Sequence, residues 1–422
     1  MYNQHMNKQY DLIIIGAGPT GLIAGVIAKQ RNLNFLIIDS NNKVGRKLAI
    51  TGKGRCNITN YNTDLNDLIN QYFGNRKFLF HAFSEFSVTD TINFFNNELN
   101  IPTKVERGNR VFPENDKSLD ITDSFFNILK DNLQLNTTVK EILTKEKQII
   151  GVKTNKGIFE AKNYLLCTGG KSYPLTGSKG DGYRWIEDLG HTVTKLEPAL
   201  IPVITKENWI RDLAGLSLKN VRISVWQNKK KKLERFGEAL FTHEGMSGPI
   251  IIDMSREIGE LLENGKVKLK IDFKPALDFK TLDERILRDL GEANTKAIKN
   301  SLNKLLPKTL IPVMIEISNI DPNERASQLS KEERKSLLTN LKGMEITVDS
   351  LDSWDRAIVT AGGVNTREID PKTMKSKIID NLYIAGEILD IYGPTGGYNL
   401  QICWSTGVLV GRSIQTQELE KD

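Results

Sequence analysis

The run Asp11-Leu-Ile-Ile-Ile-Gly16-Ala17-Gly18-Pro19-Thr20-Gly21 constrains this chain more than any other. Leu12 to Ile15 read as a buried β-strand. The glycines that follow permit a tight turn, close approach of the backbone to a pyrophosphate, and tight packing of a helix expected from Thr20 to Lys29. The free N–H groups and positive dipole end of that helix then face the phosphates. Phe35 to Ile38 form the next apolar run, so Asp39 stands at a strand end, where its carboxylate accepts hydrogen bonds from ribose hydroxyls. Strand, glycines, helix, strand and acid in this order predict a dinucleotide site built from Gly16, Ala17, Gly18, Pro19, Thr20, Gly21, Asp39 and Ser40.

The same fold holds NAD or FAD, and the rest of the chain decides between them. With 422 residues and a hydrophobic share of 39%, there is apolar material for two or three cored domains. No second GxGxxG follows: Gly52-Lys53-Gly54 and Gly180-Asp181-Gly182 lack both the third glycine and the preceding apolar strand. The C-terminal segment nevertheless carries nucleotide-type features. Leu382-Tyr383-Ile384-Ala385-Gly386-Glu387 is a short apolar strand ending in glycine and an acid, which resembles the second FAD fingerprint of the glutathione-reductase-like flavoproteins. Gly397, Tyr398, Asn399 and Leu400 then open a helix through Val410, whose N-terminus suits the negative charge of a reduced flavin. Tyr164 to Cys167 followed by Thr168, Gly169 and Gly170 repeats the strand-then-Thr-Gly pattern. Three such strands predict one FAD domain assembled from both ends of the chain.

These strings resemble the HI0933-like flavoproteins, also called the BaiN or aminoacetone-oxidase-like family. The resemblance rests on Val44-Gly45-Arg46-Lys47 through Thr51-Gly-Lys-Gly-Arg55-Cys56-Asn57 to Asn60, Gly169 to Gly182, Leu240-Phe-Thr-His243-Glu-Gly-Met-Ser-Gly-Pro249, Val359 to Val364, and Ile384 to Gly407. It covers nearly the whole chain. Lys53 departs from the pattern where many members have a further glycine. The resemblance implies an α/β fold, a glutathione-reductase-like Rossmann FAD domain with an inserted β-barrel-like domain carrying a small helical part. It also implies cofactor contacts from Arg46, Lys47, Thr51, Gly52, Gly54, Arg55, Cys56, Asn57, Val139, Gly386 and Glu387.

The expected boundaries are 1–195 with 353–422 for the FAD domain, 196–275 with 308–352 for the β-rich insert, and 276–307 for the helical part. Residues 1 to 9 have no apolar core of a signal peptide, and no apolar run approaches the ~18 residues of a membrane span, so a cytoplasmic protein without a membrane partner is expected. Three cysteines without CxxC spacing predict neither disulfide nor metal. Lys229 to Lys232 follow Gln227-Asn228 and read most simply as a solvated hairpin turn.

The net charge of +6 is only mildly basic, yet residues 42–63 hold Lys43, Arg46, Lys47, Lys53 and Arg55 with no acid. Part of that charge neutralises the FAD pyrophosphate, and the remainder meets a second anion, either an NAD(P)H phosphate or an RNA backbone. Cys56 lies between Arg55 and Asn57, where cationic neighbours lower a thiol pKa. It is read either as the catalytic acid or as a small buried residue. His243, in a family-like string, either protonates substrate or serves structure. The family is linked to reduction of a 23S ribosomal RNA uridine to dihydrouridine, to bile-acid enone reduction and to aminoacetone oxidation. The expected function is therefore an FAD-dependent reductase using NAD(P)H as transient reductant, with 23S rRNA or a precursor as partner. A small-molecule substrate, or a flavin-bound RNA-binding factor without turnover, are the alternatives.

Overall fold

The computed structural model describes residues 10–293 and 295–415. They fall into two compact units, one formed by the two ends of the chain up to Pro198 and from Ala357 onward, the other by Ala199–Arg356.

The first unit is built on a parallel sheet. Its N-terminal part supplies β1 (Tyr10–Ile15), α1 (Pro19–Gln30), β2 (Phe35–Ile38), β3 (Leu133–Gln134) and β4 (Ala161–Leu166). The fifth strand, Leu382–Ile384, comes from the far end of the chain and pairs with β4, giving the order Leu382–Ile384, β4, β1, β2, β3 with every pairing parallel. Ile14 sits between Leu165 and Ile37, and Leu12 to Ile15 are at most 3% exposed, which explains why that run is apolar at every position rather than at alternate ones. The C-terminal helix, Tyr398–Ser413, packs on α1. A β-carbon at Gly407 would lie 2.6 Å from the Thr20 carbonyl oxygen, so a side chain there would force the two helices apart. This is a mixed α/β architecture with a Rossmann-type parallel sheet and a sheet-rich insert.

That insert, the second unit, is a closed barrel. Its strands are β5 (Val203–Thr205), β6 (Ser217–Gln227), β7 (Lys230–Phe241), β8 (Gly245–Ser247), β9 (Val267–Asp272) and β10 (Met344–Leu351), in the order β5-β8-β7-β6-β9-β10 with β5 closing onto β10. Ile223, Val225, Leu269 and Ile271 point inward and are fully buried. Between β9 and β10 the chain forms α2 (Phe279–Glu292), α3 (Ile311–Ile317) and α4 (Lys331–Gly343). The helical part therefore runs to Gly343 and does not end at 307, and of the expected β-rich return over 308–352 only β10 is strand. Two caps account for this. Asp278 accepts the Thr281 N–H at 2.7 Å to start α2, and Ser330 with Glu333 forms a capping box that starts α4. Leu337 and Leu341, four residues apart, then bury one face of α4 in the core that holds Leu282 and Ile286. No helix of the described residues is long and apolar enough to cross a membrane.

In the first unit His191 staples two loops: Nδ1 lies 3.1 Å from Glu368 Oε2 and Nε2 lies 2.8 Å from Ser376 Oγ, which also accepts the Ile378 and Ile379 N–H groups. Burial lowers the His191 pKa below its ordinary 6.5, outweighing the Glu368 hydrogen bond that raises it. The unfolded chain thus takes up the proton before the folded one as pH falls. Stability is full above 6.5 and is lost as pH drops toward the lowered folded value. His191→Gln is expected to cost about 1–3 kcal/mol at neutral pH by leaving a buried partner unsatisfied. Urea titrations between about pH 8 and 5 should also show a flatter stability profile for the variant. Equal slopes in parent and variant would contradict this assignment.

Candidate dinucleotide cleft

The turn after β1 contains three glycines with different physical requirements. Gly16 has φ +117°, and a β-carbon there would lie 2.6 Å from the Cys167 carbonyl oxygen. A β-carbon at Gly21 would lie 1.9 Å from the Gly16 carbonyl oxygen. The fold itself demands both. Gly18 is different: its φ is −82°, open to any residue, and nothing lies within 4 Å of its β-carbon position. It caps α1, whose first turn carries no acid and whose leading N–H groups lack intrahelical partners.

A cleft opens over this turn. Of the residues expected at a cofactor, Gly16, Ala17, Gly18, Pro19, Thr20, Asp39, Ser40, Arg46, Lys47, Val139, Thr168, Gly169 and Glu387 line it. Asp39 does more than wait for a ribose. Its Oδ2 accepts the Ala17 N–H at 2.7 Å and its Oδ1 accepts the Asn41 N–H at 2.7 Å, so the acid fastens the glycine turn to the end of β2. Lys47 Nζ donates to both Glu387 oxygens at 2.8 Å and to Ser172 Oγ at 2.7 Å. That pair joins the N-terminal and C-terminal segments of the unit across the cleft wall. Two buried polar atoms in the lining, Thr168 Oγ1 and Trp185 Nε1, have no hydrogen-bond partner in the protein. Native interiors rarely leave such groups unmatched, so both mark the wall of the cleft as polar and incompletely satisfied by the protein alone.

Several expected residues lie elsewhere. Gly21 and Gly386 serve packing, the latter because a β-carbon would lie 2.2 Å from Thr20 Oγ1, and Gly170 approaches Thr360 in the same way. Thr51, Gly52, Gly54, Cys56, Asn57, Gly397, Tyr398, Asn399 and Leu400 are not in the cleft lining; Thr51, Gly52, Cys56 and Asn57 lie together, and Asn57 reaches Gly397 at the start of the C-terminal helix. With its amide turned to satisfy both ends, Asn57 accepts the Gly397 N–H at 3.0 Å and donates to Thr59 and Val111 carbonyls. Gln401 is fully buried on Thr59, Thr91 and Ser405, and Asn399 holds the Gly393 N–H and carbonyl.

The expectation that Arg55 lowers the Cys56 thiol pKa is corrected, and of the two readings of Cys56 the burial agrees with the small buried residue. The Arg55 guanidinium turns to Glu106 and Asp116 and lies 4.0 Å over the Phe112 ring, so it neither lines the cleft nor activates the thiol. Cys56 is fully buried at φ +60°, and burial pushes its thiol up to about 12 against a Thr51 hydrogen bond that lowers it. His243 is exposed between β7 and β8, in the second unit. Sequence reasoning passed over Asn41, Thr137, Thr138, Trp185, Cys403 and the loop from Thr176 to Asp181, all of which line the cleft; Cys167 belongs to the buried core and borders the cleft as well. The loop was visible inside the family-like string from Gly169. Thr137 and Thr138 carried no signal, because they arrive only through the Thr137 N–H bond to the Asp39 carbonyl.

Comparison with known proteins is consistent along the whole chain. A family described as HI0933-like protein Rossmann domain matches residues 10–413. A 3-dehydro-bile acid delta(4,6)-reductase of Clostridium scindens is 30% identical over 95% of this chain and 98% of its own length. A ribosomal RNA dihydrouridine synthase of Escherichia coli is 28% identical over 94% and 96% respectively. Among solved structures, 3-ketosteroid delta1-dehydrogenase from Sterolibacterium denitrificans shares the fold at a TM-score of 0.53 and 12% identity, covering 96% of this chain and 99% of that one.

The glycine geometry makes a separable prediction. Gly18→Val should keep the parental thermal midpoint, because its side chain enters space the protein leaves open, yet should fail to bind a dinucleotide. Gly21→Val should cost at least about 1–3 kcal/mol through overpacking. A Gly18→Val protein that binds the dinucleotide at parental affinity would contradict the role of that space.

Proposed function

The chain belongs to the HI0933-like Rossmann family, and from that premise we propose that it is an FAD-dependent oxidoreductase reducing a carbon–carbon double bond conjugated to a carbonyl. On this reading the substrate is a uridine of 23S ribosomal RNA, converted to dihydrouridine, with NAD(P)H as transient electron source. The observation that carries the cofactor assignment is the open space over Gly18 at the start of α1, in a cleft that Asp39, Lys47 and Glu387 also line. Bound FAD supplies two-electron hydride chemistry.

The protein supplies position and electrostatics. With the Gly16 and Ala17 N–H groups already bonded to Ile38 and Asp39, the Gly18 N–H and the first turn of α1 would hold the pyrophosphate through free N–H groups and helix dipole. Asp39, already fixed by Ala17 and Asn41, keeps lone pairs for the ribose. Lys47 and Glu387 neutralise each other within the cleft, so the lysine is held in place without presenting a bare charge. The C-terminal helix starts at Gly397 in left-handed backbone, and Asn57 and Gln401 fix that helix start, which stabilises negative charge near it.

The names of the two relatives share one bond type. Uracil has a double bond conjugated to its C4 carbonyl, and a 3-dehydro steroid with delta(4,6) unsaturation has one conjugated to its C3 carbonyl. In both, hydride arriving at the far carbon moves charge to the carbonyl oxygen, and a proton completes the product. The net charge of +6 favours the RNA substrate. The 30% identity to the bile-acid reductase favours a second reading, a small-molecule enone reductase built on the same cleft. Mass mapping of dihydrouridine in 23S rRNA separates them: cells lacking this chain should lose one dihydrouridine, and the parental gene but not Gly18→Val should restore it. An unchanged map, with purified protein reducing a steroid enone, would replace the RNA reading by the second.

Cys56 then has a packing role. Cys56→Ala is expected to leave substrate reduction within about threefold of the parent, whereas loss of a general acid costs ~10²–10⁴-fold. A loss in that larger range, with FAD retained, would reinstate the thiol as the proton donor.

A further inference from the structure

The outer face of the barrel concentrates cations around two aromatic rings. On β6 the outward residues are Arg222, Ser224 and Trp226; β9 sets Lys270 opposite Ser224 and Lys268 opposite Trp226, and β7 sets Phe236 opposite Arg222 and Lys231 opposite Trp226. Lys270 Nζ lies 4.7 Å over the Trp226 ring, and the Trp226 Nε1–H donates to Ser224 Oγ at 2.8 Å, so the indole lies along the face with its position fixed. Phe236 is 58% exposed. Three acids serve this face: Glu234 meets Lys231 and Arg222, Glu345 is shared by Lys268 and Lys270, and Asp272 is taken by Lys342, so the cations without an acid are those of the adjoining turn. Among the described residues Lys229, Lys230 and Lys232, at the β6–β7 turn, have no acidic partner.

The turn itself shows a cost. Asn228 has φ +51° and Lys229 φ +61°, the left-handed pair of a tight hairpin in which the second position favours glycine. A lysine there is strained for the fold alone, and strain at a surface position points to function. Alternate residues on a strand stand on one face, so Lys268 and Lys270 flank Trp226 there, while the exposed Lys229, Lys230 and Lys232 of the turn adjoin its end as an uncompensated positive cluster suited to phosphates, and the aromatic rings add flat surface for bases.

We propose that this face of the barrel is the docking surface for the phosphate backbone and unstacked bases of the RNA substrate. It rests on the RNA reading of the function, and the following test keeps the two apart. The FAD-loaded full chain is titrated with a fluorescently labelled, uridine-rich stem-loop RNA at several salt concentrations, beside Lys229→Gly and the triple variant Lys229→Gly/Lys230→Ser/Lys232→Ser. The triple variant should bind at least ~10-fold more weakly, with the slope of log K against log salt smaller by about 0.7 for each single-strand phosphate that the variant no longer neutralises. Lys229→Gly alone should keep or raise the thermal midpoint while weakening RNA binding, a combination that a merely structural lysine does not give. Flavin content should stay parental in both. Parental affinity and slope in the triple variant would overturn the surface; absence of RNA binding by the parent would overturn the RNA reading beneath it. Lysine-dependent binding to phosphatidylglycerol vesicles with RNA affinity unchanged would replace RNA by a membrane surface.

Discussion

The parallel pairing of Leu382–Ile384 with β4 is the contact on which the first unit depends. It places a strand from the far end of the chain beside one from the N-terminal half, in register from Tyr164↔Leu382 to Leu166↔Ile384. Glu387 follows directly, and its ion pair with Lys47 closes a separation of 340 residues. The C-terminal helix then packs on α1, where Gly407 admits the Thr20 carbonyl. Because both chain ends are committed to one sheet, the intervening Ala199–Arg356 is free to close its own barrel with its own core.

The fold was legible where local pattern and tertiary demand coincide. Leu12 to Ile15 are apolar throughout because a central parallel strand is buried on both faces, and the glycines after them report backbone contacts that only glycine allows. The helical stretch within the barrel unit was only partly legible. Lys331 to Leu341 reads as an amphipathic helix and α4 spans Lys331–Gly343, whereas the short α3, with Ile311, Val313, Met314 and Ile315 all buried, has no single apolar stripe to mark it as helix.

Side-chain roles in the loops were least legible. The sequence sets Arg55 beside Cys56, which suggests an activated thiol, but adjacency in sequence does not decide where a long side chain goes. Glu106 and Asp116, more than fifty residues away, draw the guanidinium outward, and the thiol is left buried with its pKa raised. Thr137, Trp185 and Asn41 reach the cleft by hydrogen bonds and packing that span strands, and no spacing rule announces them. The glycines of the cleft show the same division: Gly16 and Gly21 are required by contacts within the protein, and Gly18 by none of them.

The central claim is that the cleft over Gly18 holds FAD, and Trp185 offers the most direct measurement. The residue lines that cleft, and its Nε1 is buried without a hydrogen-bond partner in the protein. Titration of flavin-free protein with FAD should quench tryptophan fluorescence saturably at a single equivalent per chain, and Trp185→Phe should lose most of the quench while binding more weakly. No saturable binding of FAD by correctly folded parent protein, or a quench unaltered by Trp185→Phe, would contradict the account.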